Sequence, residues 1–93
     1  MAKIYTGATG VEIVVDMGED MTGATGTVLQ VRMPDGTEAR WQASVSGTRS
    51  LRYVTQPGDL DQDGRYLIQP HLAIGGFSGP GEPFTLAVHE LFT

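Results

Sequence analysis

Three aspartates at alternate positions, Asp59, Asp61 and Asp63, are the residues of this chain with the clearest potential for chemistry. They belong to the segment DLDQDG, in which Gly64 follows the last aspartate. An EF-hand calcium loop begins with this spacing, because alternate carboxylates can surround a cation that prefers oxygen ligands. The segment is therefore either a metal site or an acidic turn.

The residues that follow make the calcium site the less favoured hypothesis. An EF-hand loop has twelve positions and ends with a glutamate that supplies two oxygens. Counted from Asp59, the twelfth position is Pro70, which has no side-chain oxygen, and the seventh is Arg65, which brings a positive charge. The flanking segments alternate as strands do, so the sequence predicts no pair of helices to hold the loop.

A structural hypothesis explains the same segment through Gly64 and Tyr66. In antiparallel sandwich domains, a tyrosine near the start of the penultimate strand bonds through its hydroxyl to the backbone of the preceding loop. The segment GDLDQDGRYLI has a tyrosine in that place, with a glycine two residues before it and aspartates earlier in the loop. Aspartate side chains accept hydrogen bonds from nearby backbone N–H groups in tight turns. We therefore predict a structural corner that holds no metal and no cofactor.

The other reactive residues do not form a recognisable catalytic set. His71 and His89 lie near the ends of separate predicted strands and share no metal-ligand spacing. No serine has the neighbours of a nucleophile elbow. Residues 75–81 are rich in glycine but lack the lysine of a phosphate-binding loop. We predict that the chain is not an enzyme, and that Phe77 is an exposed aromatic at a loop tip, which is typical of a partner contact.

The elements that position these residues are predicted to be strands, because apolar and polar residues alternate almost throughout. The clearest pair is TVLQVRM and TEARWQASV, joined through PDG, which predicts a β-hairpin. Trp41, the only tryptophan, lies on the apolar side of the second strand with Ala39 and Ala43. We predict that Trp41 is a central core residue.

The whole chain reads as about seven strands separated by turn signals, with residues 75–83 as a loop before the last strand. This pattern predicts an all-β fold, namely an immunoglobulin-like antiparallel β-sandwich, in one domain over residues 1–93. The pentapeptide TGATG occurs twice, at residues 6–10 and 22–26. We predict two glycine-rich turns of similar geometry rather than a duplicated unit.

Composition and charge disfavour several classes of partner. The formal net charge is −5, and the six basic residues are spread along the chain, which disfavours nucleic-acid binding. There is no cysteine, so no disulfide or thiolate site is expected. No apolar run is long enough for a signal peptide or a membrane span, so we expect no membrane partner and no secretory route.

Three segments together carry a resemblance to a known family: AKIYTGATGVEIVVDMGEDMTGAT, RMPDGTEARWQA and LRYVTQPGDLDQDGRYLIQPHL. They resemble a family of small immunoglobulin-like proteins encoded in the structural gene blocks of tailed phages. Their layout is also similar to that of the N-terminal domain of phage baseplate upper proteins. The matching parts are the glycine-rich lead-in, the strand VRMPDG before a tryptophan-bearing strand, and the corner GDLD to Tyr66.

The resemblance implies a non-enzymatic structural component of a tailed-phage virion, assembled in the host cytoplasm. Its partners would be other virion proteins of the tail, baseplate, neck or capsid. Baseplate upper proteins use such a domain to anchor a longer chain. Because this sequence ends with its last predicted strand, we expect a tail, baseplate or fibre-attachment adaptor, present in multiple copies in a symmetric assembly.

Two alternatives remain open from the sequence. Within the same class, the chain would be a capsid or neck decoration protein. In a different class, it would be a calcium- or carbohydrate-binding β-sandwich module that uses Asp59, Asp61 and Asp63.

Overall fold

The computed structural model describes residues 3–93 and contains only strands, turns and irregular segments. The predicted domain of residues 1–93 begins with two residues that lie outside this described part. The prediction of an all-β antiparallel protein is confirmed. The strands are β1 (Glu12–Asp16), β2 (Thr25–Arg32), β3 (Glu38–Gln42), β4 (Ser44–Ser46), β5 (Ser50–Val54), β6 (Gly64–Ile74), β7 (Phe77–Pro80) and β8 (Phe84–Val88).

These strands form two antiparallel sheets in a sandwich-like arrangement. The smaller sheet has the order β1-β5-β4, and the larger one has the order β3-β2-β6-β7, with β8 also paired to β6. β8 pairs with the first half of β6, whereas β7 pairs with its second half. β7 and β8 therefore follow each other along one edge of the larger sheet. The described residues contain no helix that could span a membrane.

The predicted hairpin through PDG is confirmed as the pair β2 and β3, with Leu29 opposite Trp41. The backbone N–H of Gly36 donates to the Met33 carbonyl at 2.9 Å, which closes the turn. Asp35 accepts a hydrogen bond from the backbone N–H of Thr37 at 2.9 Å. The turn is thus formed by the residues that favour it: a proline, an aspartate and a glycine with positive φ.

The second strand of this hairpin is shorter than predicted, because the chain changes sheets at Ala43. β3 ends at Gln42 in the larger sheet, and β4 begins at Ser44 in the smaller one. The Thr27 hydroxyl donates to the Ala43 carbonyl at 2.6 Å, so the crossing point stays attached to β2. A strand that passes from one sheet to the other makes a corner of the sandwich.

The prediction of a loop over residues 75–83 is wrong in its first half. Phe77–Pro80 is β7, and it pairs back onto β6 with Ile74 opposite Phe77. Only Gly75 and Gly76 lie between the paired residues, and two glycines are favoured in a two-residue hairpin turn. Phe77 is therefore the first residue of a strand beside a tight turn, rather than the tip of a flexible loop.

The gap between β7 and β8 coincides with Pro70, a buried proline inside β6. The carbonyl of Pro70 accepts a hydrogen bond from the backbone N–H of Gly81 at 2.8 Å. In an antiparallel sheet, the N–H and the C=O of one residue point to the same neighbouring strand. Because the Pro70 carbonyl points to the β7–β8 side, the N–H that proline lacks would have pointed there too. The proline therefore removes no ladder hydrogen bond from β2, and the edge strand is interrupted beside it.

The two sheets share one core. Trp41 of β3 and Tyr53 of β5 stack face to face between the sheets, with ring centroids 4.9 Å apart and an interplanar angle of 11°. Trp41 is 2% exposed, so it lies in the core as predicted. The other buried residues of this cluster are Ile13, Leu29, Val31, Leu60, Tyr66, Ile68 and Val88.

The repeated pentapeptide TGATG forms two turns with the same hydrogen bond, as predicted. The Ala8 N–H donates to the Tyr5 carbonyl at 3.2 Å, and the Ala24 N–H donates to the Met21 carbonyl at 3.0 Å. Gly7 and Gly23 have φ values of 87° and 84°, a conformation that glycine adopts readily. The repeat is local turn chemistry: each copy leads into a strand, but β1 lies in the smaller sheet and β2 in the larger one.

Candidate functional site

The first aspartate of the acidic bend binds the protein's own groups. The Asp59 carboxylate accepts a hydrogen bond from the backbone N–H of Gln56 at 2.7 Å. The same oxygen accepts a short hydrogen bond from the hydroxyl of Tyr53. The Asp59 N–H in turn donates to the Gln56 carbonyl at 3.1 Å. This carboxylate therefore closes the turn after β5 and fixes the core tyrosine.

The other two candidate metal ligands, Asp61 and Asp63, do not join Asp59 in this turn. Asp61 and Asp63 are both exposed. Within residues 3–93, no three His, Cys, Asp or Glu side chains come close enough together to hold a metal ion. The alternate spacing of the three aspartates thus places one in a turn and two at the surface.

Tyr66 fastens the bend to the strand that follows it. Its side chain is fully buried, and its hydroxyl accepts a hydrogen bond from the backbone N–H of Gln62 at 3.1 Å. This is the hydrogen bond to the preceding loop that the sequence predicted. The Gln62 side chain also accepts a hydrogen bond from the Asp35 N–H at 3.2 Å, which links the bend to the β2–β3 turn.

Gly64 allows a second close approach between the bend and the same turn. Its φ is +126°, and an added Cβ would lie only 2.9 Å from the Cβ of Pro34. Real Cβ atoms do not come this close, so only glycine fits here without movement. Tyr66, Gln62 and Gly64 together make this segment a structural corner.

Burial changes the acidity of both tyrosines in this region. Burial raises the pKa of Tyr53 above its ordinary value of 10.0, and the hydrogen bond to Asp59 raises it further. Burial also raises the pKa of Tyr66, against the opposing effect of the Gln62 N–H. In both cases the folded protein holds the phenol proton more tightly than the unfolded chain does.

We therefore expect the stability contributed by Tyr53 and Tyr66 to be fully present below pH 10 and to be lost as the pH rises above it. Phenolate absorbance from Tyr53 and Tyr66 should appear only as the far-ultraviolet circular dichroism is lost. Subtracting the pH titration curves of Tyr53→Phe and Tyr66→Phe from that of the wild type isolates the contribution of each tyrosine to the phenolate absorbance and to the loss of stability. Ionisation of Tyr66 at its ordinary pKa, with unchanged circular dichroism, would contradict this expectation.

Several exposed apolar residues are the remaining candidates for binding. Phe77 is 52% exposed, in line with its predicted surface position. The sequence pattern did not single out four others, Val14, Leu67, Leu91 and Phe92, which are 53%, 40%, 54% and 102% exposed. Val14 could have been found from the alternation in VEIVVDM, where it is an apolar residue at an outward position. These exposed apolar residues distinguish the surface of the described chain.

Together these features define an antiparallel all-β protein whose acidic bend is structural. Comparisons with protein-family models, with curated proteins and with solved structures found no match to this chain. Its function is therefore inferred from its own residues.

Proposed function

We propose that this protein is a non-enzymatic structural component of a tailed-phage virion, present in several symmetric copies as a tail, baseplate or fibre-attachment adaptor. The fold proposed for this role is an immunoglobulin-like β-sandwich. The stacked pair Trp41 and Tyr53 between the sheets and the corner at Tyr66 both support that fold.

The single observation that carries the proposal is an open sheet edge next to exposed apolar side chains. β1 pairs with β5 on one side only, and Val14 at its centre is 53% exposed. An open strand edge offers backbone hydrogen bonds to a neighbouring chain, and exposed apolar residues add contact area. Assembly proteins bind through such surfaces, whereas an enzyme needs a converging set of reactive groups.

The location of the chain in purified particles tests this proposal. We expect quantitative mass spectrometry to find it in intact particles at a fixed multiple of the tail or capsid symmetry. Separated tails and capsids then distinguish the adaptor from the alternative of a capsid or neck decoration protein. Absence from intact particles would remove the virion role altogether.

A further inference from the structure

The open side of the molecule, between the β1 edge and the β7–β8 edge, contains two adjoining cavities. One has a volume of about 400 Å³ and an apolar lining that includes Val15, Met17, Met21, Pro70, Leu72 and Phe77. The other has a volume of about 310 Å³ and is lined by Val14, Val15, Asp16, Glu82, Pro83 and Phe84. Because Val15, Asp16 and Glu82 border both, the cavities form one continuous surface, here called the open flank.

The backbone of β1 presents hydrogen-bonding groups to this flank. The Val11 carbonyl accepts from the Thr55 N–H at 3.0 Å, and the Met17 N–H donates to the Arg49 carbonyl at 2.8 Å. In an antiparallel pair, alternate residues bond to the same neighbour. Odd-numbered residues of β1 therefore bond to β5, and Glu12, Val14 and Asp16 direct their N–H and C=O groups to the free edge.

Charge at the flank selects the kind of segment that fits. Glu19 and Glu82 line the cavities and form no ion pair within residues 3–93, while Asp16 lies 3.7 Å from Arg49. No lysine or arginine lines either cavity. The flank thus combines an apolar floor, unpaired backbone groups and an excess of negative charge.

We propose that the open flank binds an extended segment of a partner protein, which adds to β1 as a further strand. Every second side chain of this segment would be apolar and would enter the cavities. Lysine or arginine residues at its ends would lie near Glu19 and Glu82. Main-chain hydrogen bonds supply the affinity in this mode of recognition, and the alternate side chains supply the specificity.

A second copy of this chain fits the free edge less well than a basic segment does. Antiparallel pairing of two β1 strands about a two-fold axis through Val14 would place Glu12 of one copy opposite Asp16 of the other. Like charges directly opposite each other in a sheet are destabilising. Arg52, 2.8 Å from Glu12, and Arg49, 3.7 Å from Asp16, offset part of this repulsion. The preference for a basic partner therefore rests mainly on Glu19 and Glu82, which form no ion pair within residues 3–93.

The test uses the isotopically labelled full chain and a synthetic nonapeptide, KTVTLTVTK, blocked at both ends, in which the two lysines lie on the same face as the apolar side chains. We expect amide chemical-shift changes at Glu12, Val14 and Asp16, with slower amide exchange there, and changes at cavity residues such as Leu72. The acidic counterpart ETVTLTVTE should bind about tenfold more weakly, because its glutamates repel the carboxylates of the flank. A peptide N-methylated on the edge that faces β1 should not bind.

Two variants of the protein complete the design. Val14→Pro removes an N–H that faces the free edge, where proline is tolerated, and should abolish peptide binding. Glu82→Gln should weaken the basic peptide severalfold, whereas the matched control Glu90→Gln, outside both cavities, should not. If Val14→Pro does not fold, the N-methylated peptide still tests the backbone contact.

Several results would overturn this inference. The first is no chemical-shift change with KTVTLTVTK at about 1 mM. The second is shift changes confined to another surface, and the third is equal binding of the acidic peptide. The fourth is concentration-dependent amide protection of β1 without peptide, which would indicate a second copy.

The inference rests on the proposed function only for the identity of the partner, so the two can fail separately. If the chain binds the peptide but is absent from particles, the proposed virion role is wrong and the binding surface on the open flank stands. Normal incorporation of the Val14→Pro variant into particles would contradict the role proposed for the open flank and leave the virion role standing.

Discussion

Replacing Trp41 with alanine is expected to lower the free energy of unfolding by about 3–5 kcal/mol, the range for removing a large buried aromatic side chain. The indole is 2% exposed and stacks on Tyr53 at 4.9 Å, so its loss leaves a cavity and ends the aromatic contact between the sheets. Small domains have little stability to lose. Urea unfolding followed by far-ultraviolet circular dichroism measures the change without depending on the tryptophan itself.

Two controls separate the packing of Trp41 from its polar atom. Among residues 3–93, no hydrogen-bond acceptor lies within reach of the buried indole Nε1. Trp41→Phe keeps an aromatic ring and removes that unpaired donor, so it should cost only about 1–2 kcal/mol. Gln42→Ala, on the exposed side of β3, should change stability by less than about 0.5 kcal/mol. If Trp41→Ala cost no more than Gln42→Ala, this account of the core would be wrong.

The direction that each side chain faces could be predicted because alternation along a strand is a local property. Leu29 and Val31 are buried as the pattern in TVLQVRM indicates, and Trp41 is buried on the apolar side of β3 as predicted. The PDG turn was equally local. In both cases neighbouring residues determine the outcome, so no knowledge of distant pairing was needed.

Strand pairing was harder to predict because it depends on distant residues. Alternation continues through TEARWQASV and does not indicate that the chain leaves one sheet for the other at Ala43. Likewise, FSGP has weak strand propensity. It becomes β7 because the Gly75–Gly76 turn brings it against β6. The described residues therefore contain eight strands, whereas the sequence predicted about seven.

The candidate site likewise contains contacts that a local motif predicts and contacts that depend on distant residues. The hydrogen bond between Tyr66 and Gln62 spans four residues and could be predicted from a local motif. The bond from the Asp35 N–H to Gln62 joins residues 27 apart, so it requires the fold to place the β2–β3 turn beside the bend. The open flank requires two sheet edges that are distant in sequence, so no local pattern could indicate it.

Replacing Gly64 with alanine is expected to lower the free energy of unfolding by about 2–4 kcal/mol, from backbone strain and steric overlap together. A φ of +126° is unfavourable for a residue with a Cβ, and that Cβ would lie 2.9 Å from the Cβ of Pro34. The bend would have to move away from the β2–β3 turn, which would weaken the hydrogen bond between Gln62 and Asp35. Urea unfolding measures the cost.

Gly47→Ala is the matched control, because Gly47 also has a positive φ, +65°, but nothing lies within 4 Å of an added Cβ. It should cost about 1–2 kcal/mol, the penalty for a left-handed conformation alone. In the background Pro34→Gly, which removes the opposing Cβ, the Gly64→Ala change should cost about 1 kcal/mol less than in the wild type. Equal costs for Gly64→Ala and Gly47→Ala would show that the approach of Pro34 does not restrict this position. The corner would then depend on the Tyr66 hydroxyl and the buried phenol ring rather than on contact with the hairpin turn.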